Sequence, residues 1–285
     1  MGKIVAAAVV SHQPGIMLPT DLRLEIYGGA ETSLIAGFKE MRQALDRAAP
    51  DTFIIFDTHW FTTISHILAG APHYKGLYTS EEVPEFMSDI PYDYPGAPEL
   101  SAAIAKAGAA EGIRIVNYDK PNIPLHYPTI NLVHYLRKNE KILSIGTCQS
   151  AQCHNFLDMG RAIAEGIANT DCRVALLAAG GMSHSFEPMD TILAHMAPDP
   201  SLVVTAAARD MDIEVLKRWD RGDHAGVIEL YPKYRELNPE GFFGHYLMMV
   251  GALGGAKCAA PGRRMSEYEN AAGTGQVHVW FDVAA

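Results

Sequence analysis

Residues 52–60 read TFIIFDTHW. Phenylalanines flanking two isoleucines make a continuous apolar run, the pattern of a strand buried on both faces of a parallel sheet. The run passes into Asp57, Thr58 and His59, which predicts that the strand ends there and delivers polar side chains to a rim. In open α/β sheets that rim is where ligands bind. Two other segments repeat the pattern. KIVAAAVV at 3–10 runs into Ser11-His12-Gln13-Pro14, and proline cannot continue a ladder. RVALLAAGG at 173–181 leads to Met182-Ser183-His184. Three predicted strands therefore each end near a histidine.

Between and beyond these runs the periodicity is helical. Leu34, Ile35, Phe38, Met41 and Leu45 predict a helix over 31–49 with one face packed inward. Further helices are predicted over 99–110, 129–136, 155–168, 202–219, 225–230 and 241–253, and strands over 64–69, 113–117 and 141–147. The run 276–283 alternates well enough for a sheet edge. Residues 15–30 read as irregular. Residues 70–98, rich in proline, tyrosine and acids, read as a long loop of the kind that forms lids or binding surfaces. Alternating strands and helices predict an α/β fold: a single domain over 1–285 with a central, mostly parallel sheet flanked by helices.

Charge narrows the partners. A net charge of −10 at pH 7 argues against nucleic acid or an anionic membrane, both of which want a basic face. The start lacks a basic stretch followed by an apolar one, and no apolar run approaches the roughly 18 residues of a membrane helix. The expectation is a cytoplasmic protein. Cys148, Cys153, Cys172 and Cys258 form no CxxC pair and read as reduced thiols. Twelve histidines are the one compositional excess.

An imidazole at a strand end can aim a nitrogen at a metal, and non-haem Fe(II) sites combine two histidines with one carboxylate. His12 and His59 are candidates for the imidazoles. Glu240, between Asn238-Pro239 and Gly241-Phe242-Phe243, is a candidate for the carboxylate. Each has a plainer reading: a hydrogen-bonded rim histidine, or a helix-start acid favoured by the helix dipole. Spacing alone reaches an α/β protein with a histidine-rich candidate metal site and leaves both readings open. Asp57 is expected to orient the His59 ring by accepting its second N–H. The glycines at 180 and 181 are expected to let backbone approach a substrate. His66 and His278 read as satisfied sheet residues, and His245 as a neighbour of the site. Cys148, Cys153 and His154 match no zinc spacing.

The segments SHQPG at 11–15, FDTHW at 56–60, GLYTSEEVPEF at 76–86, GGMSHSF at 180–186, NPEGFFGHYLMMVGALGG at 238–255 and GTGQV at 273–277 add a resemblance. Together they resemble the class III (LigB-like) extradiol ring-cleaving dioxygenases, nearest to the 3,4-dihydroxyphenylacetate 2,3-dioxygenase branch. That likeness implies Fe(II) held by His12, His59 and Glu240, with His184 as the acid–base histidine. It also implies a catecholic substrate and O₂ as partners, a ring-opened semialdehyde as product, and a homo-oligomer. At 126–128 this chain has His-Tyr-Pro where many relatives carry Asp-His-Gly, which places Tyr127 at an active-site position. Protocatechuate, biphenyl-diol and 2-aminophenol substrates stay open, and no basic partner for an arylacetate side chain is apparent. Two rivals also stay open: a zinc hydrolase using the same His₂Glu set, and a binding protein that keeps the fold without the metal.

Overall fold

The computed structural model describes residues 1–283. In chain order the elements are β1 (Lys3–Val10), α1 (Thr20–Ile26), α2 (Ser33–Ala48), β2 (Thr52–Thr62), β3 (His66–Ala69), β4 (His73–Tyr78), β5 (Ile90–Pro95), α3 (Pro98–Ala110), β6 (Ile115–Tyr118), α4 (Tyr127–Leu136), β7 (Lys141–Cys148), α5 (Cys153–Ala168), β8 (Arg173–Ala179), α6 (Ala206–Asp220), α7 (His224–Glu236), α8 (Gly244–Ala252), β9 (Gly262–Arg264), β10 (Glu269–Ala271), β11 (Thr274–Gln276) and β12 (His278–Phe281). Eight strands form the main sheet in the order β6-β3-β7-β2-β8-β1-β12-β9. The centre, β7-β2-β8-β1, is wholly parallel, and antiparallel pairing is confined to its flanks. The α/β architecture with a mostly parallel sheet is as predicted.

β2 shows why this sequence buries both faces. Phe53 and Ile55 enter the core beneath α2 and α4, with Leu34, Phe38 and Leu132. Ile54 and Phe56 enter the opposite core with Ile104, Phe156, Ile163 and Leu247 of α3, α5 and α8. Successive side chains of a strand point to opposite faces, and all four of these are fully buried. At about 1.5–3 kcal/mol per buried side chain, no single-faced placement competes. No helix among the described residues is long and apolar enough to cross a membrane.

Four predictions need correction. The stretch 70–98 is not one long loop: β4 and β5 pair antiparallel, with Tyr74 opposite Tyr94, and only the residues between them form a loop. The tyrosines at 74 and 78, and at 92 and 94, alternate with other residues at the period of a strand, and the prolines at 91 and 95 are tolerated on a two-stranded edge. Residues 15–30 contain α1. β12 is not an edge strand, because β1 and β9 pair on either side of it. The helix expected from Gly241 starts at Gly244, preceded by a tight turn in which Gly241, Phe242 and Phe243 all have positive φ.

Candidate metal centre

β1, β8 and β2 are neighbours in the sheet, so the three segments bearing histidines converge on one rim. β2 does not end at His59. Asp57 pairs with Gly146 of β7, and the next pair is Phe61 with Thr147, so residues 58–60 arch out of the ladder and pairing then resumes. Gly146 makes room, since a Cβ there would lie 2.9 Å from the Trp60 carbonyl oxygen. The arch is pinned by the buried Asp57. Its Oδ1 accepts from the backbone N–H groups of His59 and Trp60, both at 3.0 Å. Its Oδ2 accepts from Thr129 N–H (3.2 Å) and Thr129 Oγ1 (2.7 Å) at the start of α4. Asp57 thus fixes the His59 backbone and ties it to the helix carrying Tyr127, rather than holding the His59 ring as expected. The ring's Nδ1 instead lies 3.1 Å from Glu82, on the loop between β4 and β5.

Two further segments complete the rim. His12 follows β1, and its carbonyl accepts from Asn131 Nδ2 of α4 at 2.6 Å. The loop 181–184 after β8 is laced between two strands of backbone. Met182 donates to Gly275 and Gly275 to Ser183, while Glu240 donates to Met182 and His184 to Asn238, all at 2.8–2.9 Å. This lacing brings the distant Glu240 beside His184. Asp212, buried under four hydroxyl and amide donors including Tyr234 and Tyr268, anchors Ser183 next to it. Burial raises Asp212 to about 6 although those hydrogen bonds pull it down.

Glu240 is the electrostatic centre. Its Oε1 accepts from Thr58 Oγ1 at 2.5 Å and its Oε2 from Gly181 N–H at 2.5 Å. It is buried at the first position of a 3-10 turn, four residues before α8, so the plainer reading of an acid at the start of that helix does not hold. Oε1 stands 3.1 Å from His12 Nε2 and 3.6 Å from His59 Nε2, and Oε2 stands 3.6 Å from His184 Nδ1. No lysine or arginine pairs with it among the described residues. Burial opposes its charge, yet the facing imidazoles hold its pKa well below the usual carboxylate range. Burial likewise disfavours a charged His59, but Glu240 and Glu82 outweigh it and push this ring up to about 10. A fully buried anion needs a cation, and two carboxylates here draw positive charge to one place. One nitrogen each from His12 and His59 and one oxygen of Glu240 lie within 4.8 Å of one another, the only such group of metal-binding side chains among the described residues. Cys148, Cys153 and His154 are not part of any.

The remaining predicted residues adjoin this cluster. Tyr127 Oη lies 2.8 Å from His59 Nε2, and burial together with the nearby carboxylates raises the phenol far above its ordinary value, so it stays protonated. His184 is partly exposed, and burial pulls its pKa below the ordinary 6.5 despite the charge of Glu240. Its Nδ1 is buried without a hydrogen-bond partner, which leaves Nε2 as the nitrogen able to exchange a proton with a ligand. The glycines preceding it act on protein neighbours. A Cβ at Gly180 would lie 2.6 Å from His245 Nε2, and one at Gly181 would lie 2.7 Å from the Gly275 carbonyl. His66 and His278, expected to be satisfied, each bury one ring nitrogen without a partner.

His12, Tyr127, His184 and Glu240, though not His59, open onto one cavity of about 350 Å³, within the size range of ligand pockets. Sequence reasoning missed three of its polar residues: Glu82, Glu85 and Gln276. Glu82 and Glu85 lie within the quoted segment 76–86, where acids beside prolines gave no periodic signal. Gln276 lies in GTGQV, and its Oε1 is buried without a partner.

Comparison with known proteins decides what kind of protein this is. Residues 6–282 match the family of the catalytic LigB subunit of aromatic ring-opening dioxygenase. The chain belongs to this family. A 3,4-dihydroxyphenylacetate 2,3-dioxygenase of Escherichia coli is 30% identical over 261 residues, covering 89% of this chain and 91% of that one. An uncharacterized protein of Escherichia coli K12, solved by crystallography, superposes with a TM-score of 0.58 at 17% identity, covering 96% of this chain and 98% of that one. The second likeness speaks for the fold alone. The chain is therefore a LigB-type ring-opening dioxygenase, an enzyme of a metal-dependent family, and it carries beside its cavity a group of side chains that could hold a metal ion.

Proposed function

We propose that this LigB-type dioxygenase is a single catalytic domain over residues 1–285 that cleaves a catechol ring in extradiol fashion with Fe(II). In this reading His12, His59 and Glu240 hold the metal, His184 is the acid–base group and Tyr127 a hydrogen-bond donor to substrate. The observation that carries it is the buried Glu240 facing two imidazoles, with no lysine or arginine paired to it among the described residues, a two-histidine, one-carboxylate donor set that suits non-haem iron. Bound there, Fe(II) would supply open, redox-active positions for the catechol oxygens and O₂.

The chain's own residues account for the rest. A neutral His184 can take a proton from a catechol hydroxyl at Nε2 and return it later, since an imidazole serves in both directions near neutral pH. Tyr127, kept protonated, can donate from Oη to a substrate oxygen. The apolar walls of the cavity lower the dielectric around these polar contacts, which strengthens each of them. Both oxygen atoms of O₂ enter the product, a ring-opened acid bearing an aldehyde. The substrate of the Escherichia coli relative, 3,4-dihydroxyphenylacetate, is the first catechol to try.

The test is anaerobic loading with Fe(II), addition of a catechol and then of O₂. A yellow ring-opened product is expected. Hydrolysis of esters by the zinc-loaded protein without any ring opening would sink the proposal. His59→Ala should also lower the bound metal per chain, and unchanged metal content would remove His59 from the site.

A further inference from the structure

The far side of the cavity has a chemical character of its own. Its walls are apolar: Val83 and Phe86 on the loop between β4 and β5, and Phe186, Ile192, Leu193 and Met196 on the segment after His184. Two of these are left open to solvent, Phe186 at 57% and Leu193 at 80%. Large apolar side chains at the mouth of a pocket mark a surface that gains by being covered.

The charges point the same way. Among the described residues no lysine or arginine lines the cavity, whereas two carboxylates, Glu82 and Glu85, border it besides the metal-site Glu240. Its two imidazoles, His12 and His184, each turn one ring nitrogen toward Glu240, and the His184 ring packs edge-on against Phe186 with centroids 4.8 Å apart. The unpartnered atom of Gln276 is an acceptor. An anionic substituent bound near Glu82 and Glu85 would shed water and meet like charge, with no lysine or arginine among the described lining residues to pair with it, which is unfavourable on both counts.

Building on the ring-cleavage reading, we propose that this enzyme selects catechols whose distal substituent is uncharged and apolar, an alkyl, aryl or ester group, over those bearing a carboxylate. The acids on the loop between β4 and β5 discriminate against anions, and Phe186 and Leu193 receive the apolar group.

The decisive comparison uses one ring with and without the charge: 3,4-dihydroxyphenylacetate and its methyl ester, with unsubstituted catechol alongside, on the Fe(II)-loaded enzyme at pH 7.5. The ester should exceed the acid in kcat/KM by at least about tenfold, equivalent to about 1.4 kcal/mol. Anaerobic calorimetric binding of the same pair should show the same order. A ratio below tenfold overturns the inference. If none of the three rings is opened, the ring-cleavage reading itself has failed, whereas an acid opened faster than its ester defeats only the selectivity. Leu193→Lys, on the exposed wall, should cut the ester-to-acid ratio at least fivefold by raising turnover of the acid. An unchanged ratio in that variant would show that the substituent does not reach this wall.

Discussion

Replacing Asp57 by asparagine isolates what the arch in β2 needs. The side chain keeps its shape but trades one carboxylate oxygen for an NH₂ group. If Oδ1 continues to accept from His59 and Trp60, the new Nδ2 faces Thr129, whose hydroxyl can turn to accept but whose backbone N–H cannot. One buried N–H then loses its partner, at roughly 1–3 kcal/mol, and the charge assistance of the other bonds goes too. A total of about 3 kcal/mol is expected. With an unfolding entropy of about 2.1 cal/mol/K per residue, a chain of 285 residues has about 0.6 kcal/mol/K, so Tm should fall by about 5 °C. The same loss loosens both His59 and the start of α4, and disturbed support of a ligand typically weakens metal binding by about 10–100-fold. Thermal unfolding of the metal-free protein and competitive metal titration read the two effects separately. If Tm stays within about 1 °C of the parent and metal affinity is unchanged, Asp57 does not hold the arch.

Three other outcomes are expected. Gly241 has a φ of +51° and a Cβ there would lie 2.6 Å from Thr58 Cγ2. Gly241→Ala should therefore destabilise by roughly 3 kcal/mol through backbone strain and overpacking, visible as a lowered Tm, and a parental Tm would refute the strain. Burial depresses His66 to about 4 and His278 to about 3 from an ordinary 6.5. The unfolded chain binds these protons first, so stability is fully present above pH about 6.5 and falls as pH drops toward 4, by on the order of 3 kcal/mol per histidine. Denaturant titrations from pH 7 to 4 check the slope, and a His278→Gln variant should flatten it. Tyr127→Phe should leave metal content intact while lowering kcat/KM about 10–100-fold, as expected for a lost hydrogen bond to a substrate oxygen, and a loss of metal instead would assign Tyr127 to supporting His59.

Much of the architecture was legible along the chain because periodicity is a local property. TFIIFDTHW could be read as a doubly buried strand from its own composition, as could α2 and α5 from their apolar spacing. The hairpin within 70–98 escaped because its pairing joins residues about 20 apart and its strands alternate tyrosine with polar residues and proline. Among site residues, His12, His59 and His184 stood out as polar groups closing apolar runs. Glu240 was visible only as an acid beside a proline.

What the sequence by itself determined is that strands near residues 10, 57 and 180 carry histidines toward the ends of buried runs, since burial and strand periodicity follow from neighbouring residues. What only the tertiary structure decided is that these strands are adjacent, that β2 arches at 58–60 and resumes pairing, and that Glu240 arrives from 181 residues beyond His59 to face the imidazoles. Those facts rest on long-range hydrogen bonds, Asp57 to Thr129 and Glu240 to Gly181 and Thr58. Such bonds depend on which surfaces pack together, and leave no periodic mark on the chain.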